Sequence, residues 1–564
     1  MKIRVRTATV VSLIALFLTL ITPRVIAQGA AEKIASNDVA SPVLRIDPLL
    51  IAEAHEAWSL IGSANDPVWP GWDASSTPML FYIPGVQDVL INHPHPPQGF
   101  QLYSGPVQFP GWNIFVKDGP TIMDQDGQNT STEVDGVPTL VVADTLSNLR
   151  QQVFGMVADT RPAQEKFPTI TPSSLAIDPY DQLAMVVHED FHVYQHKMAP
   201  GKEVSEYLLL YYPVLSVQNN VDVALESSAL ADALRSTDAK QLRPAALRWL
   251  ALRKERRAQL PAKAIEYEDG VEFVEGTAKY TEYRLFQVLE GRKPGAALNW
   301  AQGFNGFDNL APRRQQLLDK MVQNMSGRVS VNNDPYGTAP VRMRLYYSGM
   351  GMAAVLDRLM PGWQSRIFAA GASLTSLLDE ALKATPEELD ATLKEEKSKP
   401  EYAELVREKA RLADEGKAHT EAVRKQIEEG PGVGLTVDYS QLASSKVGMG
   451  FTPFGITVID ADRTIFAQVP ISVRFGKQGE LVQTQPAPLL RDTSRKLIHF
   501  RLLPSVTKAE VEKKLESIST DGSSATNLNL EMPGANLKAA KAQLHWSGNE
   551  LIVVLMEAET SGQK

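Results

Sequence analysis

The segment from Asp178 through Pro179 to His196 constrains this chain more than any other. Asp178 suits a helix N-cap, Pro179 the first helical position, and Asp181 adds an acidic first-turn residue. Leu183, Val187, Phe191, Tyr194 and Met198 then recur at spacings of three and four, which commits one side of a helix to a core. Pro200-Gly201 supplies the stop. On such a rod His188 and His192 project from one face one turn apart and can both reach a single ion at about 2.0 to 2.1 Å. Glu189 is offset from that pair, so it cannot easily join the chelate but can take a proton from a water beside the ion. The competing reading is an amphipathic helix with two ordinary half-buried histidines. The placement of Glu189 and an available downstream ligand favour the metal.

The chain contains no cysteine. Disulfides, thiolate metal sites and a lipid-modified N-terminal cysteine are therefore excluded, and histidine and carboxylate are the remaining strong ligands for a transition metal. Three sources compete for the third position: His196, Glu226, and the cluster Glu268, Glu272 and Glu275. His196 lies eight residues beyond His188, a rise of about 12 Å, too far for a shared ion on an unbroken helix. Val193-Tyr194-Gln195 has no glycine to break it, so His196 reads as a polar helix-end residue. Glu275 shares a helical face with Val271, Val274, Ala278 and Leu285, so its carboxylate points toward a core and needs a strong partner. Gly276, unfavourable inside a helix by about 1 kcal/mol relative to alanine, fits a close helix approach. Glu272 is a reserve ligand or, with Glu282, an acceptor for the other nitrogen of a ligand histidine. His93 and His95 stand in a proline-broken loop and read as surface residues.

His188-Glu189-Asp190-Phe191-His192 resembles the H-E-x-x-H motif of the zincin metallopeptidases. Glu275-Gly276-Thr277-Ala278-Lys279-Tyr280 resembles the Glu-Gly-x-Ala-x-Tyr stretch of gluzincins, the zincins whose third ligand is a glutamate. The resemblance implies one Zn2+ held by His188, His192 and Glu275, with Glu189 as general base in peptide-bond hydrolysis. It also implies a peptide or protein substrate bound by edge pairing to strands that precede the active helix. Thermolysin-like gluzincins carry an aspartate four residues after the ligand glutamate, and Lys279 stands there in this chain. A donor for the developing oxyanion is also required; Tyr346 and Tyr347 are the candidates, with Tyr280 behind them. Two other readings stay open: a non-enzymatic envelope binding protein on a zincin scaffold, and a zinc hydrolase of a non-peptide amide or ester.

Lys2, Arg4 and Arg6 precede an apolar run over about 10–21, and Val25-Ile26-Ala27 offers a small-x-Ala cleavage site. Residues 1–27 therefore read as a cleaved export signal, with a secreted or periplasmic mature protein and no stable membrane insertion after processing. The formal net charge of −9, without a compact basic stripe, opposes binding to nucleic acid.

At 564 residues the chain exceeds one ordinary core. The expected class is α+β, with a mainly helical zincin-like region at 40–400 that carries a small N-terminal sheet. A charged helical connector at 401–430 and a β-rich C-terminal domain at 431–564 follow. Helical spacing covers Arg45 to Ser63, and strand-like runs cover Met79 to Tyr82, Val89 to Ile91 and Thr139 to Val142. Beyond Gly430-Pro431-Gly432, strands are expected at Leu435–Tyr439, Ile456–Ile459, Ile465–Phe475, Leu497–Leu503 and Leu551–Met556, with a helix near Thr507–Ser519. Ser547-Gly548-Asn549 reads as a hairpin turn.

Overall fold

Asp47 accepts a hydrogen bond from the Leu49 amide and Pro48 opens the first helix, α1 (Pro48–Ile61), as the spacing predicts. Six strands follow: β1 (Met79–Ile83), β2 (Gln87–Ile91), β3 (Gln101–Leu102), β4 (Ile114–Asp118), β5 (Thr130–Val134) and β6 (Val137–Ala143). They form one sheet in the order β3-β4-β2-β1-β6-β5, with β1 and β6 parallel and the remaining pairs antiparallel. Met79 and Phe81 of β1 face the helices, whereas Leu80 and Tyr82 point into a smaller cluster with Leu90, Val141 and Ala143. This is the period-two alternation of a strand buried on both sides. The computed structural model describes residues 42–62, 67–158, 178–327, 339–442, 447–450, 455–467, 471–485, 487–516, 518, 520–521 and 524–557. The expected export signal, 1–27, lies outside them. No described helix is long and apolar enough to cross a membrane.

The helical middle comprises α2 (Thr145–Ala158), α3 (Pro179–Met198), α4 (Val217–Arg235), α5 (Ala239–Arg257), α6 (Ala262–Val271), α7 (Thr277–Leu289), α8 (Ala311–Met325), α9 (Ala339–Leu359), α10 (Leu374–Leu382), α11 (Pro386–Ser398) and α12 (Pro400–Glu429). Helix α3 lies between the sheet and the other helices, against β5 and β6 on one side and α7 on the other. Its Leu183, Val186, Val187 and Phe191 are fully buried. At about 1.5 to 3 kcal/mol for each such side chain, this face alone fixes the rotation of α3 and hence the direction of its histidines. Trp69 and Trp72, in the loop before β1, close over Phe191 with ring centroids at 4.6 and 5.1 Å.

The polypeptide between α6 and α7 does not break but widens into a π-helical turn at Glu272–Gly276. A π turn inserts one extra residue and rotates everything beyond it, a device frequent at functional sites. The turn meets α9 where Gly276 faces Gly349: a Cβ on Gly276 would stand 2.6 Å from the Gly349 Cα and 3.3 Å from the Leu345 carbonyl oxygen. The close approach expected of Gly276 is thus present, and both contacts are backbone, which no rotamer change can relieve. Gly276→Ala is expected to destabilise the protein by about 3 kcal/mol, the upper end for overpacking. An unchanged denaturation midpoint would refute that contact.

The C-terminal strands are β7 (Gly434–Asp438), β8 (Val447–Gly450), β9 (Ile456–Val458), β10 (Arg463–Phe466), β11 (Ser472–Phe475), β12 (Gly479–Gln483), β13 (Leu489–Asp492), β14 (Leu497–Arg501), β15 (Thr520–Asp521), β16 (Ser524–Met532), β17 (Ala535–Ser547) and β18 (Glu550–Leu555), with helix α13 (Lys508–Glu516) before β15. They build a second sheet over its own apolar core, which includes Leu435, Val437, Phe500 and Val553. The expected hairpin is present, with Ser547 opposite Glu550. The single run expected at Ile465–Phe475 is instead two strands, β10 and β11, which pair with different neighbours. Helix α12 ends against β14, where Arg501 Nε and His499 Nε2 hydrogen-bond the Ile427 carbonyl at 2.9 and 3.0 Å. These side chains satisfy a carbonyl that a helix end leaves unpaired. The whole is α+β: a sheet, a helical middle, and a strand-rich C-terminal region.

Candidate metal centre

Helix α3 begins as its sequence dictates, with Asp178 accepting from the Tyr180 amide at 2.9 Å. Ten residues on, His188 and then His192 turn their Nε2 atoms toward α7 and its preceding π turn. Glu275, on that turn, meets both: its Oε2 lies 3.4 Å from His188 Nε2 and 3.5 Å from His192 Nε2. The three ligand atoms fall within 4.8 Å of one another. Donors about 2.1 Å from a tetrahedral ion stand roughly 3.4 Å apart, so the two measured separations match the edges of such a site. Two imidazoles and a carboxylate, each mostly buried, form a group that can hold a metal ion.

The remaining ring nitrogens are occupied, which orients both histidines. His188 Nδ1 donates to Glu282 Oε1 at 2.8 Å, and the other Glu282 oxygen accepts from Lys279 at 2.7 Å. Lys279, the departure from the thermolysin-like pattern, therefore anchors the carboxylate that aligns His188. His192 Nδ1 donates to Gln195 Oε1 at 2.7 Å. Such partners fix the tautomer that leaves Nε2 free as a ligand. Burial opposes charging of His188, but hydrogen bonds to Glu275 and Glu282 outweigh it and raise its pKa to about 10. Burial would likewise raise the Glu275 carboxyl, yet hydrogen bonds from His188 and His192 hold it well below the ordinary range. An ion entering here displaces protons from the imidazoles, so its affinity rises with pH.

Helix α9 closes the other side. Arg342 donates to Glu275 Oε1 at 2.9 Å and also pairs with Glu206, which accepts from the Tyr267 hydroxyl at 3.1 Å. One turn later the Tyr346 ring stacks over His188, centroids 6.4 Å apart and planes 14° apart. Burial and the Glu275 charge hold the Tyr346 hydroxyl well above the usual tyrosine range, against the pull of Arg342. Tyr347 is buried in the main core, with the Lys279 ammonium 5.6 Å from its ring centroid. Tyr280, in the same core, donates to Asp357 at 2.8 Å. Glu189 sits between the two histidines in sequence. Burial raises its carboxyl, the histidine charges lower it, and Glu275 and Glu282 raise it again, leaving it above the ordinary glutamate value.

The rival ligands are engaged elsewhere. Glu226 pairs with Arg253 at 3.2 Å and Arg256 at 2.5 Å, and Glu268 pairs with Arg256 at 2.5 Å. One Glu272 oxygen pairs with Arg253 and the other accepts from Ser348, each at 2.5 Å. These groups are buried together, each carboxylate paired with an arginine. His196 bonds to Glu203 at 2.6 Å on the exposed end of α3. The surface placement expected for His93 is corrected: it is buried, its Nε2 bonded to the Val134 carbonyl at 2.9 Å and its Nδ1 accepting from the His95 amide at 3.2 Å. Its loop is stapled to the end of β5, a long-range contact that proline content did not reveal.

Sequence reasoning missed Gln195, Arg342 and Glu206. Gln195 had a signal in its three-residue spacing from His192, which places it on the same helical face. No protein-family model, curated protein or solved structure matches this chain.

Proposed function

We propose that this chain is an exported zinc metallopeptidase. The reading is carried by the convergence of His188 and His192 on α3 with Glu275 on the π turn before α7, with Glu189 beside the pair on α3. When bound, zinc supplies Lewis acidity toward a peptide carbonyl and lowers the pKa of a water to about 7. Glu189 accepts the proton that water gives up and returns it to the leaving amine; a carboxylate made more basic by burial suits that relay. Tyr346 keeps its proton at neutral pH and donates to the oxyanion that develops on the carbonyl. Lys279 and Glu282 hold His188, and Arg342 holds Glu275, so the ligands need little reorganisation. Among the described residues β5 is a terminal strand of the first sheet and packs beside α3, so its outer edge is where an extended peptide would add as a further strand.

Metal removal tests the reading. A purified full-length chain is expected to cleave members of a peptide library, to stop after chelation, and to recover with one equivalent of Zn2+. Stoichiometric zinc without peptide cleavage would redirect the assignment to a non-peptide amide or ester. Failure to retain any metal would reject zinc hydrolysis altogether.

A further inference from the structure

The side chain of Gln195 is buried and reaches both ligand-bearing elements at once. Its oxygen accepts from His192 Nδ1 at 2.7 Å. Its amide nitrogen lies 2.9 Å from the Phe273 carbonyl, 3.0 Å from the Val274 carbonyl and 2.8 Å from Thr277 Oγ1. Thr277 Oγ1 in turn donates to the Phe273 carbonyl at 2.6 Å. Phe273 and Val274 belong to the π turn, where the extra residue removes the ordinary four-residue partner of a backbone carbonyl. A buried carbonyl without a partner costs about 1 to 3 kcal/mol, so something must satisfy it. Gln195 and Thr277 are positioned to do so.

We propose that Gln195 is a positioning residue that locks the register of the π turn to His192. The register matters because it decides which glutamate meets the histidines. Glu272 and Glu275 are three residues apart, and with the turn in place Glu275 faces His188 and His192 while Glu272 faces Arg253 and Ser348. Rewinding the π turn to an α-helix rotates that relation by roughly 100°, one residue's worth of helix. A donor from α3 that bonds the π-turn carbonyls therefore favours the register that presents Glu275. Its acceptor atom, on the same amide, sets the tautomer of a ligand on α3, so one side chain matches the two halves of the site.

The inference rests on the reading of His188, His192 and Glu275 as ligands, but its structural core can be measured without metal. Gln195→Leu removes both arms. Gln195→Glu keeps an acceptor for His192 and loses the donor to the carbonyls. In the metal-free full-length chain, amide hydrogen exchange at 274–279 is expected to rise about tenfold in both variants, one hydrogen bond's net worth, with the rest of α3 and α7 unchanged. Zinc affinity, from competition with a chromophoric chelator, is expected to fall about 10- to 100-fold in Gln195→Leu and less in Gln195→Glu. Exchange at 274–279 within twofold of the parent, or protection lost evenly along both helices, overturns the proposal. A parent chain that takes up no zinc yet shows the localised exchange response keeps the lock and removes the metallopeptidase reading.

Discussion

Glu189→Gln is expected to lower peptide hydrolysis by about 10³-fold, within the range for loss of a general base, while zinc stoichiometry and affinity stay near those of the parent. Glutamine matches glutamate in shape and can still hydrogen-bond a water, but it cannot take its proton. The atoms that would hold the ion, His188 Nε2, His192 Nε2 and Glu275 Oε2, are not touched by the substitution. The measurement is a paired one, initial rate on a cleaved peptide and metal content by atomic absorption. Full cleavage with zinc bound would remove Glu189 from the mechanism; lost zinc would make it part of the binding site instead.

Glu275→Gln is expected to weaken zinc binding by more than about 100-fold, beyond the 10- to 100-fold produced by losing an outer hydrogen-bond partner. It removes the one charged ligand and leaves Arg342 with Glu206 as its carboxylate partner. The same change at Glu272 separates the two roles. Glu272 answers Arg253 in a buried ion network, so its loss is expected to reduce stability by about 3 to 5 kcal/mol while the zinc affinity of the folded protein stays near that of the parent. Chelator competition and denaturant unfolding on both variants give opposite patterns if Glu275 is the ligand. Equal zinc affinities in the two would sink the assignment of the third position.

Much of the centre is legible in the chain because its determinants are local. Asp178 and Pro179 start α3 through groups within two residues, and the histidine spacing of four follows from helical pitch alone. The apolar neighbours of Glu275 and the glycine after it placed that carboxylate at a tight helix contact. The strands expected at Met79 to Tyr82 and Leu497–Leu503 are present as Met79–Ile83, which buries aliphatic and aromatic residues on both faces, and Leu497–Arg501, which buries Ile498 and Phe500 in alternation. Those missed carry weaker patterns. Thr130–Val134 is a largely polar edge strand of Thr-Ser-Thr-Glu-Val, and it is a strand because β6 offers it a ladder. Gly479–Gln483 is short and polar at its ends, and owes its state to pairing with β11 and β17.

Other features had no local signature. The π turn arises where α6 and α7 must pack against α3 and α9 together, and its carbonyls are satisfied from α3, some eighty residues earlier. Glu226 and Glu272 stay open as rivals to the preferred Glu275 until Arg253 and Arg256 are seen to hold them. By itself, then, the sequence determined a capped helix with two histidines and a glutamate in the spacing for metal chemistry, because helix pitch and capping act over a few bonds. Which distant carboxylate completes the set, and which amide and guanidinium hold it there, was decided by tertiary packing, since charge pairing and burial depend on neighbours that chain order does not bring together.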